Sequence, residues 1–145
     1  MSTKPETTFS KNVNKYVNCY YMKNNNPYLG GIPDFWYSGS YTDLWAEYKY
    51  LSVSKPNTTV VPGLSPLQLR WIKGRITEGR NIWVIVGIKT GGVIYSEIDE
   101  MEFGIDPIEF MQRLVARQQL AGAINEYVNR TVHGADDSQL SLFSG

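Results

Sequence analysis

The feature that most constrains the fold is an aromatic stretch at residues 31–51, with the sequence GIPDFWYSGSYTDLWAEYKYL. Two aromatic-rich segments flank a Gly-Ser pair, which predicts two β-strands joined as a hairpin. The charged residues Asp34, Glu47 and Lys49 lie inside this apolar run. Burying a charge without a partner or a metal is costly. These residues therefore either lie on exposed strand edges or are brought together by the fold for chemistry.

The N-terminal half outside this stretch predicts two helices and a further strand. A Thr-Lys-Pro-Glu pattern at residues 3–6 is typical of a capping box and predicts a first helix over about residues 5–18. The segment CYYMK, residues 19–23, predicts a short strand. A Ser-Pro pair at residues 65–66 predicts a second helix that ends near Gly79.

The C-terminal half predicts a second hairpin followed by helix. The segment NIWVIVGIK, residues 81–89, is the most apolar of the chain and predicts a central strand. The glycines that follow it predict a turn into a partner strand at residues 92–98. Residues 106–130 predict one long helix, or two helices broken near Gly122. The whole order predicts a mixed β-sheet flanked by helices, an α/β fold.

Length and composition are typical of a single globular domain. The chain has 145 residues, of which 42% are hydrophobic and 19% charged. We expect residues 1–133 to form one domain and residues 134–145 to form a flexible C-terminal tail. No apolar run approaches the ~20 residues of a membrane span, and no signal peptide is visible, so we expect a cytoplasmic protein of a bacterial or phage-infected cell. The single Cys19 and single His133 exclude a zinc site built from Cys and His alone and leave no clear Ser-His or Cys-His nucleophile pair.

The net charge of zero hides a strong segregation of charge along the chain. Residues 1–90 carry eleven Lys and Arg against five Asp and Glu, whereas residues 91–145 carry three against nine. The two parts therefore have net charges of +6 and −6. Such segregation produces a field that the total charge conceals. It is compatible with binding of a polyanion to the basic part, and equally with two solvated faces.

The charged residues of the aromatic stretch have the spacing of a metal site. Residues two apart on a strand share a face, so Glu47 and Lys49 project together with Trp45 beside them. A hairpin also brings Asp34 of the preceding strand next to Glu47. Carboxylate oxygens are the ligands that Mg²⁺ and Mn²⁺ prefer, and a nearby ammonium group can contact a phosphate. Taken alone, a Glu-x-Lys pattern is equally typical of an ion pair on an exposed strand. Asp43 is a second acid near Glu47, and we assign it to the turn.

The combination of Pro33-Asp34 with Glu47-Tyr48-Lys49 resembles the motif of the PD-(D/E)xK nuclease superfamily. Within that superfamily, the order GIPD, EYK and LSPLQ resembles the VRR-NUC group, which includes small stand-alone phage members, over about the first 75 residues. The resemblance implies a restriction-endonuclease-like core and phosphodiester hydrolysis that depends on Mg²⁺ or Mn²⁺. It implies the catalytic residues Asp34, Glu47 and Lys49, and the metal ligands Asp34, Glu47, the main-chain carbonyl of Tyr48, and Glu6 on the first helix.

DNA contacts are expected from polar and basic residues near these acids. In the same resemblance, Gln68 matches a glutamine that recurs in these nucleases on the helix after the core. Basic residues follow it on the same predicted helix. Phosphate contacts of this kind make binding salt-dependent. The expected DNA-binding residues are Gln68, Arg70, Lys73, Arg75 and Lys23; the tryptophans Trp36, Trp45 and Trp71 are expected in the core. Each residue also has a plain structural interpretation: Glu6 as a capping-box residue, and Gln68 and the basic residues as a solvated helix face.

The tail contains the segment Gln139-Leu140-Ser141-Leu142-Phe143, which resembles the pentapeptide by which bacterial replication proteins dock on the sliding clamp. Its apolar side chains are otherwise surrounded by polar and acidic residues, so they require an apolar surface. The resemblance implies clamp binding through Gln139, Leu140, Leu142 and Phe143. The alternative is that these apolar side chains fold back onto the protein's own core.

The resemblance together with the tail implies a phage or bacterial endonuclease. Related stand-alone domains act on branched DNA, so we expect structure-selective cleavage, as of a four-way (Holliday) junction, by a homodimer with two active sites. One alternative is a sequence-specific homing or nicking endonuclease on the same core. An alternative of another class is a DNA-binding or clamp-binding module that is not an enzyme.

Overall fold

Among the residues that the structure describes, one mixed β-sheet of five strands forms the centre of the fold. The computed structural model describes residues 4–25 and 30–131. In spatial order the strands are β1 (Tyr20–Lys23), β2 (Phe35–Ser38), β3 (Asp43–Tyr50), β4 (Ile82–Ile88) and β5 (Gly91–Tyr95). All neighbours are antiparallel except β3 and β4, which are parallel. Parallel strands need a crossover connection, and the helix between β3 and β4 supplies it. The predicted α/β fold with a mixed sheet is confirmed.

In the described part of the chain, five helices cover the two faces of the sheet: α1 (Lys4–Asn14), α2 (Pro66–Thr77), α3 (Ile98–Phe103), α4 (Pro107–Arg113) and α5 (Arg117–Asn129). One apolar core lies between the sheet and helices α1 and α5, and contains Phe9 and Leu120. The second core lies on the opposite face, where Ile72 of α2, Met101 of α3 and Phe110 of α4 pack on the sheet. The sheet is therefore the middle layer of a three-layer molecule.

Strand β3 contributes one face to each core. Leu44, Ala46 and Tyr48 are buried in the core of α1 and α5. Because side chains alternate along a strand, Trp45 and Glu47 face the side of α2. The predicted alternation of this strand is confirmed, and it directs a carboxylate into the layer between the sheet and α2.

The face of α1 is fixed to the sheet by a buried polar contact. The Tyr37 hydroxyl donates to Asn14 Oδ1 at 2.6 Å and lies 2.7 Å from the Tyr48 hydroxyl. Gly87 of β4 allows close approach of the same helix, because an added Cβ would lie 2.6 Å from the Phe9 ring. Both contacts set the position of α1, the helix that carries Glu6, relative to β3.

The first helix is shorter than predicted, because it ends at Asn14 rather than near residue 18. The Lys15 N–H still bonds to the Lys11 carbonyl four residues back, but the Tyr16 and Val17 N–H groups bond to carbonyls three residues back, those of Val13 and Asn14, which tightens the last turn. Asn125 of α5 then accepts from the Asn18 N–H and donates to the Tyr16 carbonyl. A side chain that is distant in sequence thus ends the helix.

The C-terminal helical region differs from both predicted forms. It is broken at residues 114–116, not near Gly122, which lies inside α5. The break has a physical cause: Val115 pairs with Gly92 of β5 through two main-chain hydrogen bonds of 2.9 and 3.0 Å, so this residue extends the sheet. Helix α3 was not predicted as an element. It ends at Phe103 and is capped by Gly104, whose φ of +92° favours glycine.

Among the residues that the structure describes, no helix is long and apolar enough to cross a membrane. The predicted clamp-binding segment, residues 139–143, and the whole predicted tail, residues 134–145, lie outside the described residues. The boundary between domain and tail near residue 133 stays a prediction.

Candidate active site

The register of β2 and β3 places Asp34 beside Glu47. Phe35 pairs with Ala46 in the antiparallel ladder. Asp34 immediately precedes Phe35 and Glu47 immediately follows Ala46, so these two acids are neighbours just beyond the end of the ladder, close enough for each to raise or lower the pKa of the other. The structure therefore brings together the two carboxylates that the sequence predicts to be neighbours.

The loop before Asp34 is held against the first turn of α2. Gly31 has a φ of +87°, and a Cβ at this position would lie 2.7 Å from the Leu67 carbonyl oxygen. Only glycine fits both the backbone angle and the contact. Pro33 is buried and fixes the next φ angle. The Gly-Ile-Pro sequence thus determines how the chain approaches Asp34.

Asp34 is oriented by a main-chain donor of the neighbouring strand. The Tyr48 N–H donates to Asp34 Oδ2 at 3.2 Å. The same residue sends its side chain to the opposite face, where it belongs to the buried cluster with Phe9. Tyr48 therefore links the core on one side of the sheet to a carboxylate on the other.

Glu47 is a buried acid whose two oxygens differ. The residue is only 3% exposed. Its Oε2 accepts from Gln68 Nε2 at 3.0 Å and lies 3.7 Å from Lys49 Nζ. Its Oε1 is buried and has no hydrogen-bond partner among the described residues. A buried carboxylate oxygen without a donor is unfavourable in a purely structural role.

Gln68 connects Glu47, Lys49 and the start of α2. Its Oε1 accepts from the Ser65 N–H at 2.9 Å and from Lys49 Nζ at 3.2 Å. The main-chain N–H of Gln68 donates to the Ser65 hydroxyl at 3.1 Å, which completes a capping box. The amide therefore bridges the ammonium and the buried carboxylate, and the helix cap holds the amide in place.

The electrostatics of the acids favour retention of a proton. Burial, followed by the nearby Asp34 charge, raises the pKa of Glu47 to about 8, although Lys49 opposes this shift. Burial also raises the pKa of Asp34, against the effects of the Tyr48 N–H and Lys49. Burial and the Asp34 charge raise the pKa of Glu6, on α1. Negative charge is crowded here, which is typical of a site that receives a cation.

The donor set fits a hard divalent cation through two carboxylates. Asp34 and Glu47 supply oxygen ligands, and the main chain of Tyr48 lies between them and Lys49 in the sequence. The unpartnered Oε1 of Glu47 is an oxygen of the kind that such a cation would bind. In the described part of the chain, no three side chains of His, Cys, Asp or Glu form a group that could hold a metal ion. Glu6 is close enough to influence the pKa of Glu47, but its role as a ligand stays a prediction.

The basic residues expected to contact DNA have different surroundings. Lys73 forms an ion pair with Glu102 of 2.8 Å between Nζ and Oε1. Arg75 pairs with Glu78 and lies over the Trp71 ring. These two cations are thus engaged on the surface of the protein.

Arg70 and Lys23 are the more available cations. Arg70 is exposed and forms no ion pair with the described residues. Lys23 is exposed on the edge strand β1, over the ring of Phe35. Burial raises the pKa of Asp34, and the Tyr48 N–H, Lys49 and a hydrogen bond with Glu47 lower it. The Lys23 charge is near enough to lower the same pKa by a smaller amount. Of the basic residues expected to contact DNA, Lys23 is therefore one that the fold brings near the acids, and the expected contact Gln68 touches Glu47 directly.

The tryptophans near the acids are in the core only in part: Trp45 and Trp71 pack against it, as expected, and Trp36 does not. Trp36, Trp45 and Trp71 are only partly buried. Trp45 and Trp71 pack against the buried cluster on the α2 side without belonging to it.

Ser65 was not predicted as a site residue, although the Ser-x-x-Gln spacing is the pattern of a capping box. That pattern indicates the cap but not the contact of Gln68 with Glu47.

The comparisons with known proteins concern the fold. The sequence matches no protein-family model, and no curated protein is significantly similar to it. The structure is similar to the 1.6 Å structure of Archaeoglobus fulgidus Hjc, a Holliday junction resolvase from an archaeal hyperthermophile. The TM-score is 0.53 and the sequence identity 17%, and the match covers 84% of this chain and 99% of the resolvase chain. At this identity the likeness shows that the chain has an α/β fold similar to that of the resolvase.

Proposed function

We propose that the protein is a divalent-metal-dependent endonuclease that hydrolyses phosphodiester bonds in branched DNA, and that it belongs to the VRR-NUC type of PD-(D/E)xK nucleases. The observation that carries the proposal is the neighbouring pair Asp34 and Glu47, with Lys49 and Gln68 in contact with Glu47. An oxygen of Glu47 without a partner among the described residues supports a ligand role over a structural one.

Each residue has a defined role in this mechanism. Asp34, Glu47 and the main-chain carbonyl of Tyr48 would hold Mg²⁺ or Mn²⁺. When bound, the ion supplies a more acidic water and stabilises charge on the phosphate oxygens. Lys49 contacts a phosphate oxygen or orients the attacking water.

Gln68 and Glu6 would act through these residues. Gln68 keeps the Lys49 ammonium and the Glu47 carboxylate in fixed positions, because it bonds to both. Glu47 must give up its proton to become a ligand, since its pKa is raised to about 8. Glu6 adds negative charge beside Asp34 and thereby favours a cation at the site.

DNA binding in this proposal relies on cations around the acids. Lys23 and Arg70 are exposed and would contact phosphates. Lys73 and Arg75 would exchange their present acidic partners for phosphates. Each phosphate contact adds to the salt dependence of binding, so affinity for DNA should fall steeply as salt rises.

Branched DNA is the proposed substrate because the similar solved structure is described as a Holliday junction resolvase. Two symmetric cuts in a four-way junction require two active sites, which supports a homodimer. The sequence of residues 139–143 supports docking of the tail on a bacterial sliding clamp as a further part of the proposal.

Cleavage of paired substrates tests the proposal. A synthetic four-way junction and a linear duplex with the same arm sequences are incubated with Mg²⁺, Mn²⁺ or EDTA. We expect cutting of junctions of unrelated sequence, only with metal, and loss of cutting in Asp34→Asn. Glu126→Gln, an exposed acid on α5 across the sheet, is the matched control and should cut normally.

Other results would contradict the proposal in identifiable ways. Cutting of the duplex at one sequence would favour a sequence-specific homing or nicking endonuclease. Binding of DNA without cutting under any metal condition would favour a module that is not an enzyme. Cutting in EDTA would exclude the proposed role of the metal.

A further inference from the structure

An aromatic pair lies two residues along the hairpin from the two acids. Trp36 pairs with Trp45 across β2 and β3. Trp36 is two residues after Asp34, and Trp45 is two residues before Glu47, so all four side chains lie on one face of the sheet. At about 3.3 Å per residue, the tryptophan pair and the pair of acids are roughly 7 Å apart along the strands.

Further rings extend this pair into a continuous aromatic surface. The centroids of Trp36 and Trp45 are 6.5 Å apart. Trp71 of α2 lies 5.5 Å from Trp45 in an edge-on arrangement. Tyr20 of β1 lies 6.0 Å from Trp36 and is 63% exposed. Among the described elements, α2 packs on β4 and α3, so it leaves this side of β1 and β2 accessible.

Two adjoining depressions share the Trp36–Trp45 pair as their floor. The first, of about 290 Å³, is also lined by Met22, Lys23 and Asn25. The second, of about 570 Å³, is also lined by Arg75, Arg80, Asn81 and Asp43. We treat the two depressions together as one groove. Its lining includes the cations Lys23, Arg75 and Arg80; Asp43 is the one acid among the described residues that line it, and Arg75 is paired with Glu78.

The chemistry of this groove is that of a binding site for unpaired bases. Aromatic side chains gain little from a DNA duplex, whose bases are stacked on each other, but each base of a single strand offers a free face for stacking. Cations beside such rings follow the phosphates of the strand. We infer that this groove binds unpaired nucleobases of a DNA strand beside the Asp34–Glu47 pair, with Trp36 as the main stacking platform.

This inference rests on the proposed function, since it assigns the strand in the groove to the substrate that is cut. It predicts that the enzyme engages branched DNA where bases are unpaired near the scissile phosphate. Trp36 would be a substrate-binding residue rather than a catalytic one.

Binding of a single strand without metal tests the groove independently of cleavage. Affinity for a short fluorescein-labelled oligothymidylate is measured by anisotropy in EDTA, at one fixed low salt concentration. Trp36→Leu should weaken binding at least about fivefold, the cost of one lost base stack. Trp36→Phe should restore most of the affinity, because a ring remains. Trp83→Leu is the matched control: Trp83 is also partly buried but packs in the core of α1 and α5, so affinity should not change.

Two results would overturn the inference. If Trp36→Leu binds oligothymidylate as the wild type does while junction cleavage is intact, the groove does not bind bases and the proposed function stands. If that variant changes only from dimer to monomer in sedimentation, the aromatic surface is a contact between two copies. Conversely, Trp36-dependent binding in a protein that cuts nothing supports the groove and contradicts the proposed function.

Discussion

Replacement of Lys49 by methionine is expected to slow junction cleavage about 10²- to 10³-fold, the effect of removing one preorganised charge from a transition state. The Lys49 ammonium lies 3.7 Å from Glu47 Oε2 and donates to Gln68 at 3.2 Å, so its position is fixed before substrate arrives. Methionine has a similar length without the charge. Single-turnover cleavage of a labelled junction at saturating Mn²⁺ measures the effect on the chemical step.

The matched control is Lys89→Met, at an exposed position at the end of β4. It loses the same charge from the surface and should cleave like the wild type. DNA affinity measured in EDTA separates binding from chemistry, and Lys49→Met should change it much less than the cleavage rate. A Lys49→Met protein that cuts at the wild-type rate would remove Lys49 from the mechanism.

Glu47→Gln is expected to make the metal-free protein more stable at alkaline pH while it abolishes cleavage. The pKa of Glu47 is raised from 4.5 to about 8 in the folded protein. Between these values the folded state holds a proton that the unfolded chain has released. Wild-type stability should therefore fall as pH rises through this window, by at most about 1.4 kcal/mol per pH unit from this group.

Glutamine stays neutral, so it removes this contribution. Above pH 8 the Glu47→Gln protein should exceed the wild type in the free energy of unfolding, by less than the roughly 5 kcal/mol that the raised pKa allows, because Lys49 also loses its acidic neighbour. Urea denaturation in EDTA at several pH values measures the difference. Glu126→Gln should leave the wild-type pH dependence unchanged. Equal slopes for wild type and Glu47→Gln would show that Glu47 does not hold the proton.

Local sequence patterns predicted the acids because their contact depends on a hairpin. The alternation of β3 places Glu47 and Lys49 on one face, and the antiparallel register adds Asp34. The elements that were mispredicted depend on distant partners. Asn125 binds the main chain just after the end of α1. Gly92 pairs with the main chain of Val115, which interrupts the C-terminal helix.

Side-chain contacts between separate elements could also not be predicted from the sequence. The Ser65–Gln68 capping box was predictable from spacing, but the bonds from Gln68 to Glu47 and Lys49 require the packing of α2 on the sheet. The exposure of Trp36 has a similar origin, because it depends on which strands α2 covers. The size and aromatic character of tryptophan, taken alone, favoured a place in the core.

The central claim is that Asp34 and Glu47 together hold a divalent cation. Calorimetric titration of Mn²⁺ into the wild type, Asp34→Asn and Glu47→Gln, at about pH 6 and about pH 8, tests it without any DNA. We predict that the wild type binds Mn²⁺ more tightly at the higher pH, with release of a proton from Glu47, and that both variants lose the binding. Equal binding of Mn²⁺ by wild type and both variants would contradict the assignment of these two acids.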